Sequence, residues 1–310
     1  MLKHYFNILL FLSIAPIVSI GQEIRIFKVA DFDLNGAVKT CTVIQDYGQE
    51  IFEFNENGFL TKSTTQYNES DKDIIVYKYE GGELIEKRME SYKDNQLDTA
   101  TSMVNFYEID TTGPKYIKEK IISFDKEFFE QQEYYFNDTG ILEKVVLSHE
   151  NAVDEILIER TAYKDEQTET IFENGVIEKS VRNSSKRLTN GKILNIQLIK
   201  DFVDGEPDKA LEKVTEENNR LVSEQAFSYD FNTKEFAPTE KRIYGYNKEG
   251  ILSKMTIKTG NTESVKEFIF QFDDSEHKNW VKKITTPDNS YITRRIEYHI
   301  AENTVEEKPE

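Results

Sequence analysis

Residues 134–144, YYFNDTGILEK, predict a β-hairpin. Tyr134 and Phe136 are two residues apart and therefore share one face of a strand, because strand side chains alternate between faces. The tip that follows ends in Gly140, which tolerates the positive φ that a chain reversal requires, and its Asn and Asp tolerate it next best. Two aliphatic residues then begin a second strand. The stretch thus specifies two strands and the turn that joins them.

The same unit recurs along the chain as an aromatic residue, a polar tip with Gly, apolar residues and a Lys. Its five copies are Phe54–Lys62 (FNENGFLTK), Tyr79–Lys87 (YEGGELIEK), Phe136–Lys144 (FNDTGILEK), Phe172–Lys179 (FENGVIEK) and Tyr246–Lys254 (YNKEGILSK). One hairpin every twenty to thirty residues is typical of a β-repeat array, although an ordinary β protein with many similar hairpins remains the alternative. The predicted fold is all-β: a meander of consecutive antiparallel hairpins, on the order of 20 strands, that forms an extended, twisted or partly curled repeat sheet.

This unit, together with Asn279–Lys283 (NWVKK), resembles the YD-repeat (RHS-like) modules of secreted and surface bacterial proteins. The resemblance extends loosely over residues 38–298. The Tyr-Asp pair itself occurs as Tyr229–Asp230, with Phe272–Asp273 as a variant. The resemblance implies a chain of β-hairpins, which in that family is sometimes wound into a shell.

The chain divides into three predicted parts. Met1–Gly21 has a short polar start, an apolar stretch and small residues before Gln22, which is the pattern of a secretory signal peptide, with an uncleaved anchor as the alternative. Residues 22–300 are predicted to form a single β-hairpin repeat domain without a transmembrane span after signal cleavage. Residues 301–310 are acidic and nearly free of apolar residues, so we expect a disordered tail. The protein is accordingly expected in a secreted, periplasmic or cell-surface location.

The net charge of −18 restricts the partners. An acidic chain repels phosphate backbones, so nucleic acid is not expected as a ligand. A membrane barrel is also disfavoured, because charged residues interleave with the apolar residues of the predicted strands. No cofactor motif is found in the sequence. The expected partner is an unidentified protein or glycan at the bacterial cell envelope.

Two local patterns concern chemistry. The only cysteine, Cys41, cannot form an internal disulfide; we expect a small buried apolar residue, with an intermolecular disulfide as the alternative. The segment Asp31–Gly36 (DFDLNG) resembles the start of a calcium loop, with Asp31, Asp33 and Asn35 as candidate ligands. The twelfth position is Thr42 rather than the required Glu, so a polar turn is the preferred interpretation and no metal site is assigned.

Two further stretches depart from the repeat. In Asp204–Lys213, Pro207 is compatible with the start of a short helix, and a long hairpin loop is the alternative. Trp280, the only tryptophan, is expected to cap the last edge of the sheet or, alternatively, to stack on a ligand.

The sequence favours a secreted or periplasmic protein that acts as a binding or scaffolding module, and it assigns no catalytic residue. The first alternative is a carbohydrate-binding module in which exposed aromatic rows stack on sugar rings. Its candidate ligand-binding residues are Tyr77, Tyr79, Tyr244, Tyr246 and Trp280. The same residues serve equally well as cross-strand packing groups. A carboxylate-dependent hydrolase is the second alternative, and it requires two facing carboxylates in a cleft.

Overall fold

The computed structural model describes residues 24–126, 129–149 and 152–300, which form one antiparallel sheet after a short 3₁₀ helix at Val29–Phe32. The strands of the first half are β1 Val38–Gln45, β2 Gly48–Phe54, β3 Leu60–Gln66, β4 Lys72–Glu80, β5 Glu83–Lys93, β6 Gln96–Leu97, β7 Met103–Asp110, β8 Tyr116–Ser123, β9 Phe129–Phe136 and β10 Leu142–Ser148. Those of the second half are β11 Val153–Tyr163, β12 Glu166–Glu173, β13 Val176–Arg187, β14 Ile193–Val203, β15 Glu206–Glu216, β16 Leu221–Asp230, β17 Glu235–Tyr246, β18 Leu252–Thr259, β19 Thr262–Phe272, β20 Trp280–Thr286 and β21 Ser290–Tyr298.

The sheet closes on itself. The two-residue strand β6 pairs only with β5, and β5 pairs onward with β7. The first and last strands also pair, with Cys41 opposite Ile296 and Val43 opposite Arg294. Twenty strands therefore form a closed ring. The all-β antiparallel meander is confirmed, whereas the prediction of an extended or partly curled sheet with free ends is wrong, because β1 and β21 saturate each other's edge.

The prediction of a YD-repeat protein is wrong as well. Strands alternate in direction around the ring, so successive turns lie at opposite ends of the barrel. The turns at Gly58, Gly140 and Gly250 lie at the end where β1 begins, whereas the turn at Gly175 lies at the other end. The copies of the unit are therefore not equivalent in space, and the ring leaves no terminal repeat that requires a cap.

The hairpin turns themselves follow the sequence prediction. Gly58 has φ 76° and Gly140 has φ 77°, values that favour glycine. At the first residue of each tip an Asn side chain accepts backbone hydrogen bonds from the turn: Asn55 Oδ1 from Asn57 N and Phe59 N at 3.1 and 3.0 Å. The Asn side chain thus stabilises the turn, and the glycine adopts the positive φ that the turn requires.

Residues 204–213 contain no helix. Asp204 and Gly205 have φ values of 51° and 80°, the two consecutive positive φ values of a tight hairpin turn. Residues 206–216 continue directly as β15, in which Pro207 lies opposite Phe202 at a β-bulge. The helix interpretation is wrong because a two-residue turn pairs β14 with β15 along their whole length, and the bulge accommodates the missing amide of the proline.

Each strand presents one face to a common side of the wall. Residues that are paired directly across two neighbouring strands point to the same face of the sheet. Following these pairs around the ring places the following residues on one common face: Cys41, Ile75, Tyr134, Ile199 and Met255. Residues 24–37, the N-terminal segment, pack on this face, and two cavities open on it. We infer that it lines the barrel interior and call it the inner face; the opposite face is the outer face.

The N-terminal segment covers one half of the inner face. Phe27 O accepts a hydrogen bond from Leu60 N, and Val29 N donates to Gly58 O, so the segment is tied to the tip between β2 and β3. The ring of Phe32 lies 4.6 Å from that of Phe52 and 5.3 Å from that of Phe54. The N-terminal segment and the wall beneath it form a core of buried residues: Val29, Leu34, Val38, Cys41, Val43, Phe54, Leu60, Tyr77 and Leu84.

A second cluster of buried residues continues the core along β8–β12: Ile117, Tyr134, Phe136, Leu142, Val145, Ile156, Ile158 and Ile171. Ile24 packs against both clusters. We call β21 and β1–β10 the covered half of the barrel, and β12–β19 the open half. Cys41 is a free thiol with 1% exposure, as expected of a small buried residue, and burial raises its pKa to about 11.

Candidate functional site

The aromatic residues predicted to bind sugar do not form one open row. Tyr77 is buried with its ring edge-on to Phe27, and the hydroxyl of Tyr79 donates a 2.7 Å hydrogen bond to Leu60 O. Both belong to the covered half. Desolvation raises the pKa of each phenol.

The other candidates lie elsewhere on the ring. Tyr244 donates to Glu224 Oε2 and Tyr246 donates to Leu221 O, each at 2.7 Å, and neither ring is fully exposed. Trp280 lies between Arg294, whose guanidinium carbon is 3.5 Å from the ring centroid, and Phe270 at 5.9 Å. The structure therefore does not bring the five residues together, and their role in ligand binding stays a prediction.

The residues of the calcium-loop pattern contact protein groups. Asp31 accepts from Lys28 N at 2.8 Å and pairs with Arg25 at 2.9 Å. Asp33 accepts a 2.7 Å hydrogen bond from Trp280 Nε1. Asn35 donates its backbone N–H to Asn279 Oδ1. The pattern lies at the end of the N-terminal segment, in the 3₁₀ helix and the turn that lead into β1, and the absence of a metal site stays a prediction.

The turn residues Asp273–Asn279 hold this segment against the last two strands. Asn279, 1% exposed, donates to Asn35 O and Tyr298 Oη, both at 2.8 Å, and accepts from Asn35 N at 2.8 Å. Asp273 accepts from Tyr298 Oη at 2.5 Å and from Ser275 Oγ at 2.8 Å. We call Asn35, Asp273, Ser275, Asn279 and Tyr298 the latch.

A cavity of ≈ 550 Å³ lies in the open half, at the same end of the barrel as the latch. The strand register places two rows of polar inner-face side chains along the wall of this cavity. In the first row Gln167 is opposite Asn183, Asn183 opposite Gln197, and Gln197 opposite Lys213. In the second row Asn195 lies between its two partners, Ser185 and Thr215.

These side chains are accessible. Gln167, Asn183 and Asn195 are exposed, and no other chain segment among the described residues covers them. Within the row, Gln197 Nε2 donates to Asn183 Oδ1 at 3.1 Å, and Lys213 Nζ lies 3.9 Å from Glu224 Oε1. Since neighbouring strands are about 4.8 Å apart, the row presents a donor or acceptor at each such step across the wall.

A smaller cavity of ≈ 390 Å³ lies in the covered half and is lined by Tyr107 and Ile109 among others. Near it the buried carboxylate of Glu119, 6% exposed, accepts from Asn105 Nδ2 at 2.6 Å and from Tyr134 Oη at 2.7 Å. Desolvation, followed by the charge of Glu119, raises the pKa of Tyr107 and of Tyr134 well above the usual range. Both phenols stay neutral donors, which stabilise the carboxylate in place of a cation.

Sequence reasoning missed the cavity residues. In β14 the two amides Asn195 and Gln197 alternate with the apolar residues Leu194, Ile196 and Leu198, which indicates only a strand with one polar face. No short motif marks them, because the residues become neighbours through the register of four strands.

The comparisons with known proteins give structures but no family. No family model and no curated protein matches the chain. A crystal structure of a porin-like protein from Bacteroides uniformis is similar with a TM-score of 0.29 and 10% identity, covering 84% of this chain and 98% of that chain. A porin-like protein from Bacteroides vulgatus has a TM-score of 0.23 and 11% identity, with the same two coverages, 84% and 98%.

A protein of unknown function from Bacteroides fragilis has a TM-score of 0.18 and 14% identity, covering 56% of this chain and 92% of that chain. The correction of the YD-repeat prediction rests on the closed ring of strands. Within the described ranges, no helix has the length and apolar character needed to cross a membrane.

Proposed function

We propose that the protein is exported and binds a neutral, hydroxyl-rich ligand, such as an oligosaccharide of the cell envelope, in the cavity of the open half. The observation that carries the proposal is the cross-strand row of amides at Gln167, Asn183 and Gln197. Amide side chains both donate and accept hydrogen bonds, as the hydroxyl groups of a sugar do, and they discriminate against strongly charged ligands. The signal-peptide pattern of residues 1–21 supports the export.

The charges of the barrel wall favour a binding role over a membrane pore. On the outer face Lys62 pairs with Glu53 at 2.9 Å, and Lys78 pairs with Glu86 at 2.8 Å. On the inner face Arg160 pairs with Glu169 at 2.7 Å. A lipid-facing wall has a continuous apolar band about 25 Å tall, in which each Lys or Arg near the midplane costs about 2–4 kcal/mol. The outer-face ion pairs interrupt such a band, whereas inner-face pairs also fit the polar interior of a membrane barrel.

The test is a titration of the mature chain, residues 22–310, with a panel of neutral oligosaccharides by calorimetry. For a ligand that binds, Asn195→Ala and Gln197→Ala should each weaken the affinity by about tenfold, since one lost hydrogen bond is worth about 0.5–1.5 kcal/mol. Gln271→Ala is the matched control, because Gln271 is an exposed amide on the outer face of β19 and should leave the affinity unchanged. Equal effects of all three substitutions would contradict the assignment of the cavity, and a panel without any binder would contradict the ligand class.

A further inference from the structure

Basic side chains gather on the inner face of β19–β21, away from the cavity of the open half. Lys283 is the most buried of them, with 8% exposure. Among the described residues it has no carboxylate within ion-pair distance and no hydrogen-bond acceptor; its Nζ lies 5.3 Å from the ring centroid of Phe268. Burying most of a lysine side chain without an anion is costly, because a cation–π contact does not replace the hydrogen bonds that water provided.

Arg294 lies beside it with a second unused donor. Lys283 is paired with Ile292, so Arg294, two residues further along the same face of β21, is its diagonal neighbour. Two of its guanidinium nitrogens donate to backbone oxygens, Nη1 to Asp33 O at 3.2 Å and Nη2 to Phe32 O at 3.1 Å. The third nitrogen, Nε, is buried and has no hydrogen-bond partner in the structure described.

The charged groups around Lys283 and Arg294 do not compensate the two positive charges. Burial, followed by the charge of Arg294, lowers the pKa of Lys283, and Lys266 acts in the same direction while Asp33 opposes it. Asp33 is itself exposed and hydrogen-bonded to Trp280. Asp288 lies 4.0 Å from Lys266 rather than near Lys283. In a chain of net charge −18, two neighbouring cations, each with an unused donor, stand out from the general acidity.

We propose that Lys283 and Arg294 form a binding site for a small anion, a carboxylate or phosphate group, on the inner wall of the barrel. The group accepts hydrogen bonds from Lys283 Nζ and Arg294 Nε, the two donors that the protein leaves unused. Charge-assisted hydrogen bonds of this kind are the stronger ones, and an anion also removes the repulsion between the two cations. The site does not depend on the oligosaccharide proposal, since it shares no residue with the cavity.

Trp280 provides a direct readout, because it is the only tryptophan and its ring contacts Arg294. We expect replacement of sodium chloride by sodium phosphate or sodium acetate, at constant ionic strength, to change the tryptophan fluorescence of the mature chain saturably. The anion that acts at the lower concentration shows whether the site prefers a phosphate or a carboxylate group. Lys283→Met should weaken the apparent affinity at least tenfold. Lys39→Met, which removes an exposed lysine of β1, is the control of equal charge and should behave as the unchanged protein.

Thermal unfolding separates loss of binding from loss of folding. The effective anion should raise the Tm of the unchanged protein and of Lys39→Met but not that of Lys283→Met. Without the anion, Lys283→Met should be at least as stable as the unchanged protein, because the substitution removes an uncompensated buried charge. A fluorescence change or a Tm increase of the same size in Lys283→Met would overturn the proposal, and so would the absence of any saturable response in the unchanged protein.

Discussion

The two halves of the barrel are built from the same kind of hairpin and differ in what lies on their inner face. In the covered half, the N-terminal segment packs on the wall, and residues such as Leu60 and Val38 are 2% and 0% exposed. In the open half no other described segment lies on the cavity rows, which carry exposed amides such as Asn183, whereas inner-face residues away from these rows, Ile171 and Met255, are buried. The N-terminal segment therefore adds a second layer and a core cluster to the covered half, while the exposed amide rows of the open half are available to a ligand.

The largest effect is expected from replacing a leucine by alanine in the covered half, and the same replacement in the open half is the comparison. Leu60→Ala should lower the free energy of unfolding by about 2–5 kcal/mol, because the cavity it leaves is enclosed by the N-terminal segment. Leu211→Ala, at a partly exposed inner-face position of β15, should cost only about 1 kcal/mol, since water fills the space. Urea unfolding of both variants measures the two values. Equal costs would show that the segment does not create a core.

A smaller effect is expected at the latch, where the N-terminal segment joins the closing strands. Asn279→Ala removes three hydrogen bonds, two of them to the backbone N–H and C=O of Asn35, so we expect a loss of about 2 kcal/mol. Asn232→Ala, at an exposed turn of the open half, is the control and should change stability by less than about 0.5 kcal/mol.

Hydrogen exchange locates the damage from Asn279→Ala. The amides that pair β1 with β21 should exchange faster in this variant, whereas those of β13 and β14 should not. Uniform acceleration around the ring would mean that the barrel opens as one cooperative unit and that closure is not a local property of the latch.

The hairpins could be predicted from the sequence because their information is local. Asn55 and Gly58 are three residues apart, and each acts on the turn in which it stands. Closure of the ring could not be predicted in this way, because it depends on the register of Cys41 with Ile296, residues near opposite ends of the chain. The repeated unit even suggested the wrong architecture. Three strands, β10–β12, separate the turn at Gly140 from the turn at Gly175, and because this number is odd the two turns lie at opposite ends of the barrel.

The candidate binding residues of the cavity could not be predicted for the same reason. Gln167, Asn183 and Gln197 are ordinary polar residues in sequence and become a row only through two strand pairings. Trp280, by contrast, is conspicuous in sequence, and the expectation that it caps a sheet edge fails because the closed sheet has no free edge. Its actual contacts, with Asp33 and Arg294, come from segments far away in the chain.

The smallest expected effect concerns the pH dependence of the latch. Burial alone would raise the pKa of Asp273, but hydrogen bonds from the Tyr298 and Ser275 side chains and from backbone N–H groups outweigh it and hold the pKa below its ordinary value of 3.8. A carboxyl group with a depressed folded-state pKa stabilises the protein above its unfolded-state pKa, and this stabilisation is lost as the pH falls through the folded-state value. The latch should therefore weaken in acid.

Asp273→Asn removes the charge at every pH and isolates this contribution. At pH 6 we expect the variant to be less stable than the unchanged protein by about 1 kcal/mol, the size of one net hydrogen bond. The difference should shrink as the pH falls below the unfolded-state pKa and through the lower folded-state pKa, because the unchanged protein then takes up a proton at Asp273 and its carboxylate no longer accepts these hydrogen bonds. Asp274→Asn, at the exposed neighbouring position, is the control and should show no such convergence. Parallel stability curves for Asp273→Asn and the unchanged protein between pH 6 and 3 would mean that the latch is held by Asn279 and the packing of Tyr298 rather than by the Asp273 carboxylate.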